Sequence, residues 1–357
     1  MSKLPNHLPE DLQTNEELRS AYSAVRDAEC AVEKSMPEST ASESSLQLEK
    51  ALISIRILGY LLVYAPGNDP RYALAFDVRS CEGSHDKLLE LGNWYFDHIA
   101  RLLRYSKQRA ERSSNPQSHC SSDWVNGPTE PILGVPSTHD DAESLVKLRD
   151  NFRCLLTGCP DRRAFKEGDR KFREGVLTEN CDGLLSSTYG CHIINLVTDS
   201  RVRSGDYSMS TWAILQRLGL QSVLEELRGH GVHRLENMIT ATSDAHMLFN
   251  ELQIWFSPVP NRPNVYEIHH NLERWEFYAK VRAGEIELKT PDPEKCPLPS
   301  LRYLEIHAAC ARVAHFSGAG TYIYKHLWKD DGEMPPVLDA DGSSAWLLAH
   351  LLANKVG

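Results

Sequence analysis

No apolar run in this sequence is long enough to cross a bilayer. The longest, ILGYLLVYA (57–65) and AWLLAHLLA (345–353), are nine residues each, against about 20 for a spanning helix. A secretory leader is missing too: MSKLPNHLPEDLQTNEE has no apolar core and no Arg/Ser-rich amphipathic character, so the expected location is intracellular, nuclear or cytoplasmic, with no membrane partner. The nine cysteines (30, 81, 120, 154, 159, 181, 191, 296, 310) form no spacing framework, and reduced thiols are expected. Cys154 and Cys159 are close, but a zinc knuckle needs a second such pair, which the chain lacks. There is no Gly-rich phosphate loop and no Gly-x-Ser-x-Gly elbow, which sets aside nucleotide-cradling and serine-hydrolase readings. Nor is there an excess of positive charge. The formal net charge is −10, which argues against a broad basic face for polyanions. Basic points remain at 161–175 (DRRAFKEGDRKFREG) and at Arg201 and Arg203; a solvated charged face is the commoner meaning of such runs.

What is present describes a globular chain. With 357 residues, 41% hydrophobic and 25% charged, it can build one large domain or two ordinary ones without staples. Apolar side chains recur at helical spacing over 10–36, 45–65 and 85–108, predicting a helical N-terminal unit over 1–110. Residues 111–140 are rich in Ser, Pro, Asn and Gly and read as a linker or long loop. From 141 the pattern becomes mixed. SLVKLRDNF, STWAILQRLGL and LQSVLEELRGHG read as helices; RCLLTG, GCHIINLV, LQIWFSPVP, VYEIHH and EIELKT read as extended. SLRYLEIHAACARVAHFSGAG predicts a long helix stopped at Gly318 or Gly320. The expected fold class is α+β: the helical unit, a mixed domain over 141–330 with short antiparallel strands, and a C-terminal tail over 331–357.

Chemistry-bearing residues gather around HRLENMITATSDAHMLFNE (233–251). If SDAHMLFNE is a helix, Ser243 caps it, Asp244 complements its dipole, and His246, Phe249 and Asn250 share one face. A His with another donor one turn later can hold a metal ion, and Asn237, just upstream, can reach the same place. A buried, hydrogen-bonded His in a packing helix is the plainer alternative. His269 and His270 are strand neighbours pointing to opposite faces. His307 and His315 share a helix face and are expected to pack.

Three separated pieces then fall in order: RDNFRCLLTG (149–158), GCHIIN (190–195) and ENMITATSDAHMLFNE (236–251). Together with the 298–319 helix they resemble the HNH nuclease family, in its fungal branch, over roughly 141–325. The resemblance implies a ββα-metal core of two strands and a helix around one divalent ion (Mg²⁺, Mn²⁺ or Zn²⁺). It makes His192 the general base, has Asn237 fix that base's strand or touch the metal, and makes His246 a metal ligand with Asn250 beside it. The implied reaction is hydrolysis of a phosphodiester in nucleic acid, which needs an activated water in line with the leaving oxygen and a cation to neutralise charge on the phosphate. The chain departs from the family pattern at Cys191, where Ala or a metal-binding acid is usual, at Asn195 in place of Pro, and at Asn250 in place of Asp. A neutral amide is a poorer partner for Mg²⁺ than a carboxylate; Asp199, Glu236, Asp244 and Glu251 are nearby carboxylates. Two other functions stay open: a repurposed acid–base enzyme or cyclase acting on a small molecule through His192, and a non-catalytic module whose N-terminal helices bind a partner or a second copy.

Overall fold

The computed structural model describes residues 2–35, 43–113, 135–168, 170–179, 184–194, 213–271, 281–282 and 284–327. Cys120, Cys181, Asn195, Asp199, Arg201, Arg203 and the expected 331–357 tail lie outside them. The fold is α+β: a mainly helical chain with two small antiparallel sheets. No helix among the described residues is long and apolar enough to cross a membrane, and their seven cysteines are all free thiols.

The chain divides into two compact units. One comprises Met1–Tyr105, Ser200–Leu224 and Ala309–Gly357; the other comprises Ser106–Asp199 and Glu225–Ala308. The expected domain order along the chain is therefore too simple. The last part of the Leu301–Ser317 helix belongs to the first unit, where Phe316 packs its ring on Tyr60 and Tyr64. Gly318 ends that helix in the left-handed conformation (φ 88°), as the sequence leads one to expect.

The first unit contains α1 (Glu16–Ser35), α2 (Glu43–Tyr64), α3 (Asn68–Ser80) and the start of α4 (His85–Ser113). α3 is a helix that the periodicity did not announce: Pro70 sits in its first turn, where a missing N–H costs nothing. Along α2, residues 52–63 are buried without a break, as befits a helix that is apolar all round. Its one charged residue in that stretch, Arg56, donates to Glu29 and Glu33 at 2.7 and 2.8 Å.

The second unit is built on α5 (His139–Arg149), α6 (Arg162–Glu167), α7 (Arg170–Glu179) and five short strands. β1 (Thr188–His192) pairs antiparallel with β2 (Met238–Thr242), and the Ser243–Asn250 helix follows β2 directly. β3 (Ile254–Pro258), β4 (Val265–His270) and β5 (Gly284–Glu287) form a separate antiparallel meander. Two sequence expectations are corrected here. RCLLTG is a turn, closed by the N–H groups of Cys154 and Gly158 bonding to the carbonyls of Cys159 and Cys154. Of the expected strand GCHIINLV, the ladder holds residues 190–192, and Ile193 and Ile194 have left it; residues 195–197 lie outside the described residues. Within the basic run at 161–175, Arg163 pairs with Glu167 and Arg170 with Glu174 one turn apart on α6 and α7.

Candidate metal centre

A lone two-stranded sheet is marginal in water, and the β1–β2 pair is held by side chains. Arg149, 2% exposed, closes a fork on its neighbour Asp150 (2.7 and 3.1 Å) and donates to the carbonyls of Leu235, Met238 and Pro297. Asp150 in turn accepts the N–H of Thr240 in β2 at 2.9 Å. Asp161 caps α6 through Ala164 and also accepts both the N–H and the hydroxyl of Thr188 at the start of β1. The Arg-Asp pair of the RDNFRC motif is thus a brace on β2.

Asn237 fixes the other end. It is fully buried; its oxygen accepts the N–H of Ile194 at 2.9 Å, and its amide N–H₂ donates to the carbonyls of Ile194 and Val232. Its own carbonyl accepts the N–H of Ile193. The amide therefore continues the ladder by one step and freezes the chain just beyond His192. Of the two roles implied for Asn237, strand fixing matches these bonds. The metal-ligand role is corrected, because the carboxamide is spent on backbone groups.

Glycine brings a helix close on this strand pair. A Cβ on Gly190 would lie 3.0 Å from the Cα and Cβ of Glu143 in α5, so its absence lets α5 lie against β1. α5 starts at a Thr138 cap that accepts the Asp141 N–H, and it buries Ala142, Leu145 and Val146 against Leu235 and Met238. Its first residue, His139, stands one turn before Glu143. Residues 190 and 192 share a strand face, so the close approach at Gly190 places the His139 and His192 rings 5.1 Å apart.

The third imidazole is His233, the last residue of the 3-10 turn Gly229–His233. Its Nδ1 lies 3.2 Å from His192 Nε2. His139, His192 and His233 are the one group of three or more His, Cys, Asp or Glu among the described residues able to hold a metal ion, with one donor atom from each lying within 4.8 Å of the others. His192 is buried, and the other two are half-buried. His139 Nε2 faces the Glu143 carboxylate at 3.6 Å, while its Nδ1 is buried with no hydrogen-bond partner. Burial pushes the Glu143 carboxyl upward, but His139, Lys147 and the Gly190 N–H outweigh it and hold the group down at about 2. Burial, then His139 and His230, push His233 below its ordinary value.

Neither a family model nor a curated protein nor a solved structure matches this chain. The reading of the site rests on its residues and their geometry.

The other expected site residues lie elsewhere. His246 is half-buried on the Ser243–Asn250 helix and does not join the imidazole group; Asn250 is half-buried at that helix's end. Thr242, not Ser243, is the N-cap, and it makes no side-chain cap bond. Cys191 is buried, with its thiol 3.5 Å from the Tyr189 carbonyl. His307 packs, as expected: it stacks on Phe249 at 3.7 Å and its Nε2 meets the Phe249 carbonyl at 3.0 Å.

Sequence reasoning had His192 and Asn237 but missed His139 and His233 as its companions. A signal existed for one of them. THDDAESLVK begins with a capping Thr and places His139, Glu143 and Lys147 at four-residue steps.

Proposed function

We propose that this chain is a divalent-metal-dependent hydrolase of phosphodiester bonds in nucleic acid, working at the face of β1 that carries His192. The observation that carries the reading is the position of His192: last residue of β1, its following backbone clamped by Asn237, and its ring grouped with two other imidazoles. The strand–strand–helix order, with His246 on the helix, adds the motif likeness. Three neutral imidazole nitrogens fit a divalent cation, and the orphaned Nδ1 of His139 is a buried group that a cation would satisfy. An ion bound there would supply Lewis acidity toward a phosphoryl oxygen and lower the pKa of water. The chain's own residues orient. Asn237 holds the backbone after His192, Arg149 and Asp150 hold β2, and Glu143 sets the ring of His139. With the ring of His192 turned into this group, the general-base role implied for it gives way to a ligand role. Exposed Arg228, just before the turn that carries His233, presents positive charge to an anionic substrate despite the acidic whole.

Plasmid nicking tests the reading. Cleavage by the full chain with an added divalent ion, lost on chelation and in His192→Ala, is the expected result; equal cleavage by wild type and variant would overturn it. One observation favours a second reading, acid–base catalysis on a small molecule without metal. The 3.2 Å contact between His192 and His233 is also a hydrogen-bond distance, through which one ring fixes the other's tautomer. Proton exchange catalysed by chelated protein, with no nicking in any metal, would point to it.

A further inference from the structure

We propose that His139, His192 and His233 form a three-imidazole zinc site, selective for a cation of the zinc class over Mg²⁺ and Ca²⁺. The inference names the ion and ligands of the site described above and rests on the hydrolase reading only for the use made of the ion. It is carried first by the donors. All three are imidazoles, which suit zinc and its neighbours, whereas Mg²⁺ and Ca²⁺ require oxygen ligands that this set does not offer.

Spacing is the second support. Two nitrogens at about 2.0–2.1 Å from a tetrahedral ion stand about 3.3 Å from each other, and the His192–His233 pair is at 3.2 Å. A direct hydrogen bond explains that pair equally well, but it leaves His139 unexplained. The His139 ring lies beside the other two, its Nδ1 is buried without a partner, and a cation shared by the three residues would give that nitrogen a function.

The third support is the carboxylate behind the ligand. Metal-bound histidines usually turn their second nitrogen to a carboxylate or carbonyl, which fixes ring and tautomer. Glu143 fills that place behind His139 at 3.6 Å and is anchored by Lys147 at 2.7 Å. The three ligands come from a helix start, a strand end and a 3-10 turn, so the site exists only in the folded second unit. Three protein ligands leave a fourth position of a tetrahedral zinc open, the arrangement of catalytic rather than structural zinc.

The test is titration of the chelated full-length chain with Zn²⁺ by calorimetry, and with Co²⁺ as a spectroscopic probe of coordination. One Zn²⁺ per chain is expected, with tetrahedral Co²⁺ absorption and no displacement by millimolar Mg²⁺. His139→Ala and His233→Ala should each weaken Zn²⁺ at least tenfold, Glu143→Gln about tenfold, and His246→Ala not at all. His139→Ala alters a side chain one-third exposed at a helix start, and thermal melting confirms that each variant folds. Unchanged Zn²⁺ affinity in the folded His139 and His233 variants overturns the proposal, as does absence of binding to wild type or its loss in His246→Ala alone. The two readings fail separately. Zinc at these imidazoles without phosphodiester cleavage sinks the hydrolase; metal-dependent cleavage by a chain that takes up no Zn²⁺ at them sinks the zinc site.

Discussion

In the first unit the centre is a helix, α2, buried along residues 52–63; in the second it is an antiparallel pair of five-residue strands, with buried polar side chains bonded to the backbone in and just beyond it. Both units bury charge, but to different ends. Arg217 donates to Asp77 at 2.6 Å under the rings of Trp94 and Tyr95, and its two terminal nitrogens are buried without partners. That pair bonds no backbone of a strand, and most of the stability around it comes from apolar burial, at about 25 cal/mol per Å². Arg149 and Asp150 together bond several backbone groups in and around β2. Apolar side chains can replace the first pair but not the second.

The sharpest way to break this comparison is a pair of double substitutions followed by chemical denaturation. Arg149→Met with Asp150→Leu strips the side-chain partners from the Pro297 and Met238 carbonyls and the Thr240 N–H, while the Leu235 carbonyl keeps the Met238 N–H, for a loss of about 4 kcal/mol at 1–2 kcal/mol each. Asp77→Leu with Arg217→Met removes an imperfectly satisfied pair and should leave stability within about 1 kcal/mol of wild type. Equal losses would show that the two units bury charge in the same way.

Next in size is Asn237→Ala. It strips partners from Ile194 and Val232 and should cost about 3 kcal/mol, with weakened Zn²⁺ binding because the backbone after His192 is released. A variant that melts like wild type would remove the clamp from the account.

Acid tests the same unit at His307. Burial pushes its pKa from 6.5 down to about 4. Unfolded chain takes up a proton that folded chain refuses, so stability is full above about pH 6.5, falls as pH drops toward about 4, and levels below. The shift corresponds to about 3 kcal/mol at 1.36 kcal/mol per pKa unit. His307→Gln can still donate to the Phe249 carbonyl and should lack this part of the slope; identical pH profiles would refute the assignment.

Gly190→Val should cost about 2 kcal/mol by overpacking, since it would push α5 off β1. Its diagnostic companion is weaker Zn²⁺ binding as His139 moves from His192. The smallest effect is Thr138→Ala, which removes the cap on α5 at about 1 kcal/mol, measurable as a lower melting temperature.

Much of the fold was legible because period and composition are local signals. The helical N-terminal unit, the mixed second region and the Gly318 stop follow from spacing and from glycine's tolerance of positive φ. α3 was missed because its proline resembles a breaker until its position in the first turn is known. His192 and Asn237 were found through neighbouring residues in short motifs. His139 was hidden because it begins a helix in a stretch whose composition reads as linker. His233 was quoted with the motif, but nothing in its neighbourhood marks it as a donor.

By itself, the sequence determined an α+β chain without a membrane-spanning helix among its described residues, a strand carrying His192 and an Asn expected to fix it. Those properties depend on residues a few positions apart. Which imidazoles meet was decided only by tertiary structure. His139, His192 and His233 are separated by scores of residues, and their meeting depends on a glycine-permitted helix approach and on backbone clamps. His246 carries the stronger motif, yet a ligand set is fixed by distance in space, which motif order does not encode.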